Sequence, residues 1–331
     1  MSSLPKPKTD ILPWLLPVGL ALVALPLVGS GSTWLTLTIA GLAMGMMIFL
    51  MASGLTLVFG LMDVLNFGHG AFISVGAYVA VAVLAPLTGL TSSPLIGDNL
   101  LAILLALLAA AAVSGGLGWA FERFMVMPVY GQHLKQILVT MGGFIVVEQA
   151  LHAIFGPTQI PLPLPQGFRG AVMLGDAAVE KYRLAAVGLG IIVFAAMVLV
   201  LNRTKLGLLI RAGVENSEMV EALGYRIRRL FVGVFVTGSA LAGLGGVMWA
   251  LYREQVTAAM GMEVMVLVFI CIIIGGLGSV AGCFIGATMV ALLANYTGFL
   301  LPKVALVSNI LLMVLVLLWR PQGLYAVARR A

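Results

Sequence analysis

Apolar runs recur from one end of this sequence to the other, at about 11–28, 34–58, 66–85, 100–121, 136–155, 184–201, 229–250, 264–278, 279–297 and 304–319. A bilayer core takes roughly 20 helical residues to cross. The backbone of a crossing segment must satisfy its N–H and C=O groups within the protein. The runs lack the apolar–polar alternation of a barrel strand, so each is expected to be a helix. A soluble interior has no room for so many hydrocarbon-clad helices, and charged residues make up only 9% of the chain, against about 25% in an ordinary soluble domain. The expected fold class is all-α: a polytopic integral membrane protein of about ten transmembrane helices, with eight to eleven admitted by the region 54–85. Residues 1–331 read as a single transmembrane domain.

Lys and Arg set the orientation. With the N-terminus in the cytoplasm, 13 of these residues fall inside and 5 outside, the outer ones being Arg169, Lys181, Arg183, Arg253 and Lys303. That bias fits the positive-inside rule with both termini cytoplasmic. The net charge of +6 is thus an orientation signal, and its scatter over short loops does not make a nucleic-acid surface. Lys6 and Lys8 ahead of the first run imitate a signal peptide, but no A-x-A site follows, so a retained helix is expected. Cys271 and Cys283 lie in apolar runs without CxxC pairing and read as buried small hydrophobes. Residues 156–183 form a Pro/Gly-rich outer loop whose prolines forbid a regular helix, with "FRGAVML" as a short extended piece.

The stretch "DVLNFGHGAFISVGAY" (63–78) poses a length problem. It lies within 52 residues, 34–85, and two crossings of roughly 20 residues leave about a dozen over. Either the surplus is a cytoplasmic hairpin turn, or the chain unwinds inside the membrane, which requires cover by protein or a water-filled cavity. Asn66 and His69 either stitch an interhelical turn or, with the backbone of Gly68 and Gly70, help line a translocation path. "GLMDVLNFGHGA" (60–71) matches "GLGSVAGCFIGA" (276–287) at five of 12 positions. Gly-interrupted segments at related places in two halves point to a transporter's binding region.

No P-loop, zinc spacing or nucleophile elbow is present, and His69, His133 and His152 are dispersed. The chain is therefore expected to carry no cofactor and not to be an enzyme. Glu148 is the sharpest polar anomaly: it lies inside the fifth run, with His152 four residues on. It either pairs with His152 or another helix, or faces a cavity at a subunit interface. Met44, Met46, Met47 and Met51 read as packing rather than a substrate surface.

The inner loop 202–229 is the most informative polar piece, with six basic residues around a short helix at 215–223. Glu215, Glu218 and Glu221 form an acidic stripe, Met219, Val220, Ala222 and Leu223 an apolar side, and Gly224 suits a left-handed cap. Such a helix either lies on the membrane surface or fits a groove on a partner protein.

Several blocks together carry a family resemblance. "GLTLVFGLMDVLNFGHGAFISVGAYVA" (54–80), the loop's "EMVEALG" (218–224), "GSALAGLGGVMWA" (238–250), "IGGLGSVAGCFIGA" (274–287) and "WRPQGLY" (319–325) occur in order. They resemble the inner-membrane permeases of branched-chain amino-acid ATP-binding-cassette importers. The resemblance implies a second, homologous permease chain in a heterodimer, two cytoplasmic ATP-binding subunits that bind the ATP, and a periplasmic solute-binding protein. It makes the 215–223 helix the coupling helix, with Glu215, Glu218, Met219, Glu221, Ala222, Leu223 and Gly224 as the ATPase-coupling residues. "EMVEALG" keeps the Glu and Gly of the wider class's E-A-A-x-x-x-G motif and departs at the two alanines. The implied activity is import of branched-chain or other hydrophobic amino acids across the bacterial inner membrane by alternating access. Urea, amides or aromatic acids are alternative solutes within the family; an ion-coupled transporter and a passive channel are rivals outside it.

Overall fold

A computed structural model describes residues 11–215 and 217–325. Its helices are α1 (Leu12–Val28), α2 (Gly31–Met62), α3 (His69–Leu84), α4 (Thr88–Thr91), α5 (Ile96–Phe121), α6 (His133–Phe155), α7 (Lys181–Arg203), α8 (Lys205–Glu215), α9 (Ser217–Ala222), α10 (Ile227–Arg253), α11 (Met260–Gly275), α12 (Val280–Leu300) and α13 (Ala305–Trp319). Six of these segments are long and apolar enough to cross a membrane, and four shorter apolar helices accompany them. The described part is therefore helical and polytopic, as the apolar runs require.

The centre belongs to α2 and α10, which cross antiparallel. Gly54 packs on Gly238, and Gly245 on Met51, so close that a Cβ on Gly54 would overlap the Gly238 carbonyl. Lipid gives helices no hydrophobic reason to associate, and close approach through small residues supplies dispersion contacts instead. Met47 and Met51 are buried in the core and Met46 against Gly190 of α7, as expected of filler. By contrast, α6 and α7 are peripheral, with about one-fifth of their apolar windows covered.

The surplus residues 63–68 unwind inside the bundle. α2 ends at Asp63, held in the left-handed region at φ 54 with its N–H on the Phe59 carbonyl. The chain then doubles back, because His69 Nε2 lies 2.9 Å from the Met51 carbonyl. Met51 precedes Met62 by about 16 Å of helix, and six extended residues can cover that return. Val64 and Asn66 are buried, so protein covers the break. The chain thus turns at Asp63 and runs back alongside α2 under cover of protein.

A second break mirrors the first. α10 ends at Glu254, which with Asp63 makes up the non-glycine positive-φ residues among those described. The next residues return to the level of α3: Ser74 Oγ donates to the Ala258 carbonyl (2.9 Å) and accepts from the Gly261 N–H (3.0 Å). The two units repeat at a spacing of 191 residues, pairing Met62 with Arg253, His69 with Met260 and Leu84 with Gly275. Because α2 and α10 are antiparallel, the repeat is inverted, and the starts of α3 and α11 meet where Gly70 abuts Gly261. This corrects the counterpart expected from sequence. Segments 60–71 and 276–287 are not aligned by that spacing; they touch each other, Gly60 against Gly278.

Ser74 is the polar staple between the two short helices. Ser74→Ala leaves a buried donor and acceptor unpaired. We expect it to cost about 1–2 kcal/mol, read as a lowered melting temperature in detergent.

The Pro/Gly-rich region after α6 holds one small hairpin sheet and shares a second with the residues after α10. Strand β1 (Ile160–Pro161) pairs with β4 (Gln255–Val256), and the hairpin β2 (Ala171–Leu174)–β3 (Ala177–Glu180) turns at Gly175. At the opposite end of the bundle, "WRPQGLY" closes α11. The N–H groups of Leu324 and Tyr325 donate to the carbonyls of Ile274 and Gly275, satisfying the end of that helix. Cys271 and Cys283 are buried free thiols.

Candidate translocation site and coupling surface

Around the first break, Asn66 is 1% exposed and His69 fully buried. Gly68 lies against Phe121 and the Thr140 carbonyl, and Gly70 against Gly261. All four residues meet at the centre, covered by protein in this conformation. His69 is anchored by Nε2 on Met51, its Nδ1 lacks a partner, and so do both amide atoms of Asn66. α6 supplies the facing wall: Thr140 Oγ1 accepts from the Phe67 N–H (3.2 Å) and donates to the Gln136 carbonyl (2.7 Å). Aromatic edges close the rest, with Phe72 and Phe121 at 5.1 Å and Phe67 and Phe269 at 5.1 Å between centroids.

Glu148 stands apart from this cluster, half-buried on α6. Its expected pair with His152 does not form, and His152 Nδ1 is buried without a partner. The i, i+4 spacing puts two side chains on one face but does not decide their rotamers.

The basic inner loop is largely helical rather than loop with one helix: α7 runs to Arg203, and α8 and α9 follow. The side chains of Glu215 and Glu218 lie outside those described. Glu221, Ala222, Leu223 and Gly224 are exposed, as is Met219, whereas Val220 turns inward at 3% exposure. Gly224 adopts φ +87, the left-handed cap its position required. Leu223 at 70% and Met219 at 59% are thus exposed to the surroundings, with Tyr225 beside them.

From this surface α10 leads straight to the break. Ile227 is buried near Gly213, Arg228 reaches the Met127 sulfur, and Phe235 packs edge-on to Phe72 at 6.1 Å. One turn further, Gly238 meets Gly54 beside His69. Between α5 and α6, residues Glu122–Val126 form a π-turn that holds the buried Glu122 near Arg228. Sequence reasoning missed Ser74, Glu122, Gln136 and Thr140. Each was visible as a polar residue in or beside an apolar run, but nothing in the sequence said they converge on the break or its neighbours.

Comparison with known proteins agrees with this architecture. The family described as "Branched-chain amino acid transport system / permease component" matches residues 37–319. The high-affinity branched-chain amino acid transport system permease protein BraD of Pseudomonas aeruginosa is 27% identical over 294 residues, 86% of this chain and 93% of that protein. The LivH permease protein of Salmonella typhimurium is 26% identical over 292 residues, covering 86% and 92%. A probable LivH permease of Methanocaldococcus jannaschii is 24% identical over 303 residues, covering 85% and 89%. With the family's pattern spanning nearly all of the apolar core, the chain belongs to the permease components of branched-chain amino-acid transport systems.

Proposed function

We propose that this chain is the membrane-spanning subunit of an ATP-driven importer that brings hydrophobic, branched-chain-type amino acids into the cell across the bacterial inner membrane. Ten helices cross, with both termini cytoplasmic. This places α8, α9 and the 319–325 segment inside, and the β2–β3 hairpin outside. One of two ATP-binding subunits seats on 215–224, a homologous permease packs alongside over the other, and a periplasmic solute-binding protein delivers the cargo. This chain then hydrolyses nothing itself.

One observation carries the reading. The exposed apolar tip formed by Met219, Leu223 and Tyr225 is joined through Gly224 to α10, whose Gly238 packs on Gly54 beside His69, the first residue after the break. Movement of the tip with an ATPase is thereby passed to the Gly54–His69 region by one continuous helix. Closure of the ATPases opens the permease pair outward, and hydrolysis returns it to release cargo inside.

Deletion of 215–224 is the direct test. ATP-binding subunits should co-purify with the intact chain and be lost with the deletion, and ATP-dependent leucine uptake in proteoliposomes should vanish with them. Uphill leucine uptake by the lone polypeptide, without ATPase subunits, would sink the proposal and favour an ion-coupled transporter.

A further inference from the structure

We propose that Asn66, Gln136 and Thr140 form a closed site for the zwitterionic end of an α-amino acid, uncovered when α6 moves away from the break. This rests on the import function above and names the groups that take the cargo.

Two side chains here are buried and unpaired. Asn66 is 1% exposed with neither Oδ1 nor Nδ2 hydrogen-bonded; Gln136 is 1% exposed with Oε1 free. They belong to facing segments. Thr140, one turn from Gln136, takes the Phe67 N–H, and Asn66 Oδ1 and the Thr140 carbonyl both crowd the space beside Gly68. Nearer the end of α2, Tyr130 just ahead of α6 donates to the Met62 carbonyl, at 2.9 Å. The α6 face carrying Gln136 therefore lies along the break from Met62 to Phe67. Buried polar atoms without partners are uncommon in native proteins and call for a specific cause.

The chemistry of the set suits a zwitterion. An asparagine amide offers a donor for a carboxylate and an acceptor for an ammonium, and Gln136 Oε1 is a second acceptor. None of these groups carries a charge, so a net-neutral cargo is held without a buried counter-ion and is not trapped. Phe67, Phe121 and Met125, gathered around Gly68 and Gly143, offer an apolar wall for the side chain.

α6 is the element able to uncover the site. About one-fifth of its apolar window is covered, and glycines in the left-handed region stand at its two ends, Gly131 at φ +78 and Gly156 at φ +86. The π-turn and a 3-10 turn (Met127–Val129) precede it, a stretch of irregular helix already departing from the α ladder.

The test uses the assembled importer with its solute-binding protein in proteoliposomes and radiolabelled L-leucine. Asn66→Leu and Gln136→Leu should each lower uptake at least tenfold, while assembly is kept and the melting temperature is unchanged or raised, since an unpaired polar group has been replaced by an apolar one of similar size. Asn66→Ala gives the same reading if the leucine variant does not assemble. Uptake within twofold of wild type overturns the site. A fall in uptake that tracks a fall in melting temperature also overturns it, because that marks a packing role. If the wild-type complex hydrolyses ATP without concentrating leucine, the import function fails instead, and the site falls with it.

Discussion

Gly54→Leu is expected to prevent the purified chain from holding its native fold in detergent, with a destabilisation of about 3 kcal/mol or more. The reason is local. A Cβ on Gly54 overlaps the Gly238 carbonyl and crowds the His69 ring, so three elements, α2, α10 and the start of α3, must part to admit any side chain. Backbone cannot swing aside as a flexible side chain can. Gly54→Ala should show the graded effect, about 1–3 kcal/mol. Gly142→Ala is the control: nothing lies within 4 Å of its Cβ position, and the change should stay within about 0.5 kcal/mol. Thermal unfolding followed by fluorescence-detected gel filtration reads all three. A Gly54→Leu protein as stable as wild type would show that α2 and α10 do not meet through this contact.

The second large effect concerns coupling. Met219→Asp combined with Leu223→Asp should leave folding intact, because both side chains are largely exposed. It should nevertheless reduce ATP-driven leucine uptake by at least tenfold. Apolar anchors that fill a partner's cleft typically carry most of the binding energy at an interface, and two carboxylates placed there meet a desolvation penalty. Co-purification of the ATP-binding subunits and uptake should fall together while the melting temperature of the isolated chain stays put. Full uptake by the double variant would mean the tip is a lipid-facing surface and not the ATPase seat. A double charge substitution at Glu221 and Gly224 would be less informative, since Gly224 at φ +87 strains any other residue there.

Much of the fold is legible from hydrocarbon alone. Runs such as 34–58 and 229–250 become α2 and α10 because a backbone in lipid has few ways to satisfy itself. The surplus between Trp34 and Ala85 was countable, and Gly224 announced the end of α9. The site was only partly legible. Asn66 and His69 stood out as polar residues in an apolar stretch, but Glu148 stood out equally and does not join them. Gln136 and Thr140 looked like ordinary residues near the start of a span, and only the doubling back of residues 63–68 brings Phe67 onto Thr140.

The second break was misplaced for a physical reason. Residues 276–287 share glycines with 60–71, but shared composition in a chain with 40 glycines carries little information about geometry. The true counterpart, around Glu254, shares little but a carboxylate in the left-handed region and a glycine seven residues on, Gly70 and Gly261. By itself the sequence determined that the chain lives in a bilayer and how many apolar segments it has. Tertiary structure alone decided that the helices following the two breaks start against each other at Gly70 and Gly261, because that depends on where backbones approach within contact. Hydrophobicity states how deep a residue lies, and only packing states what it touches.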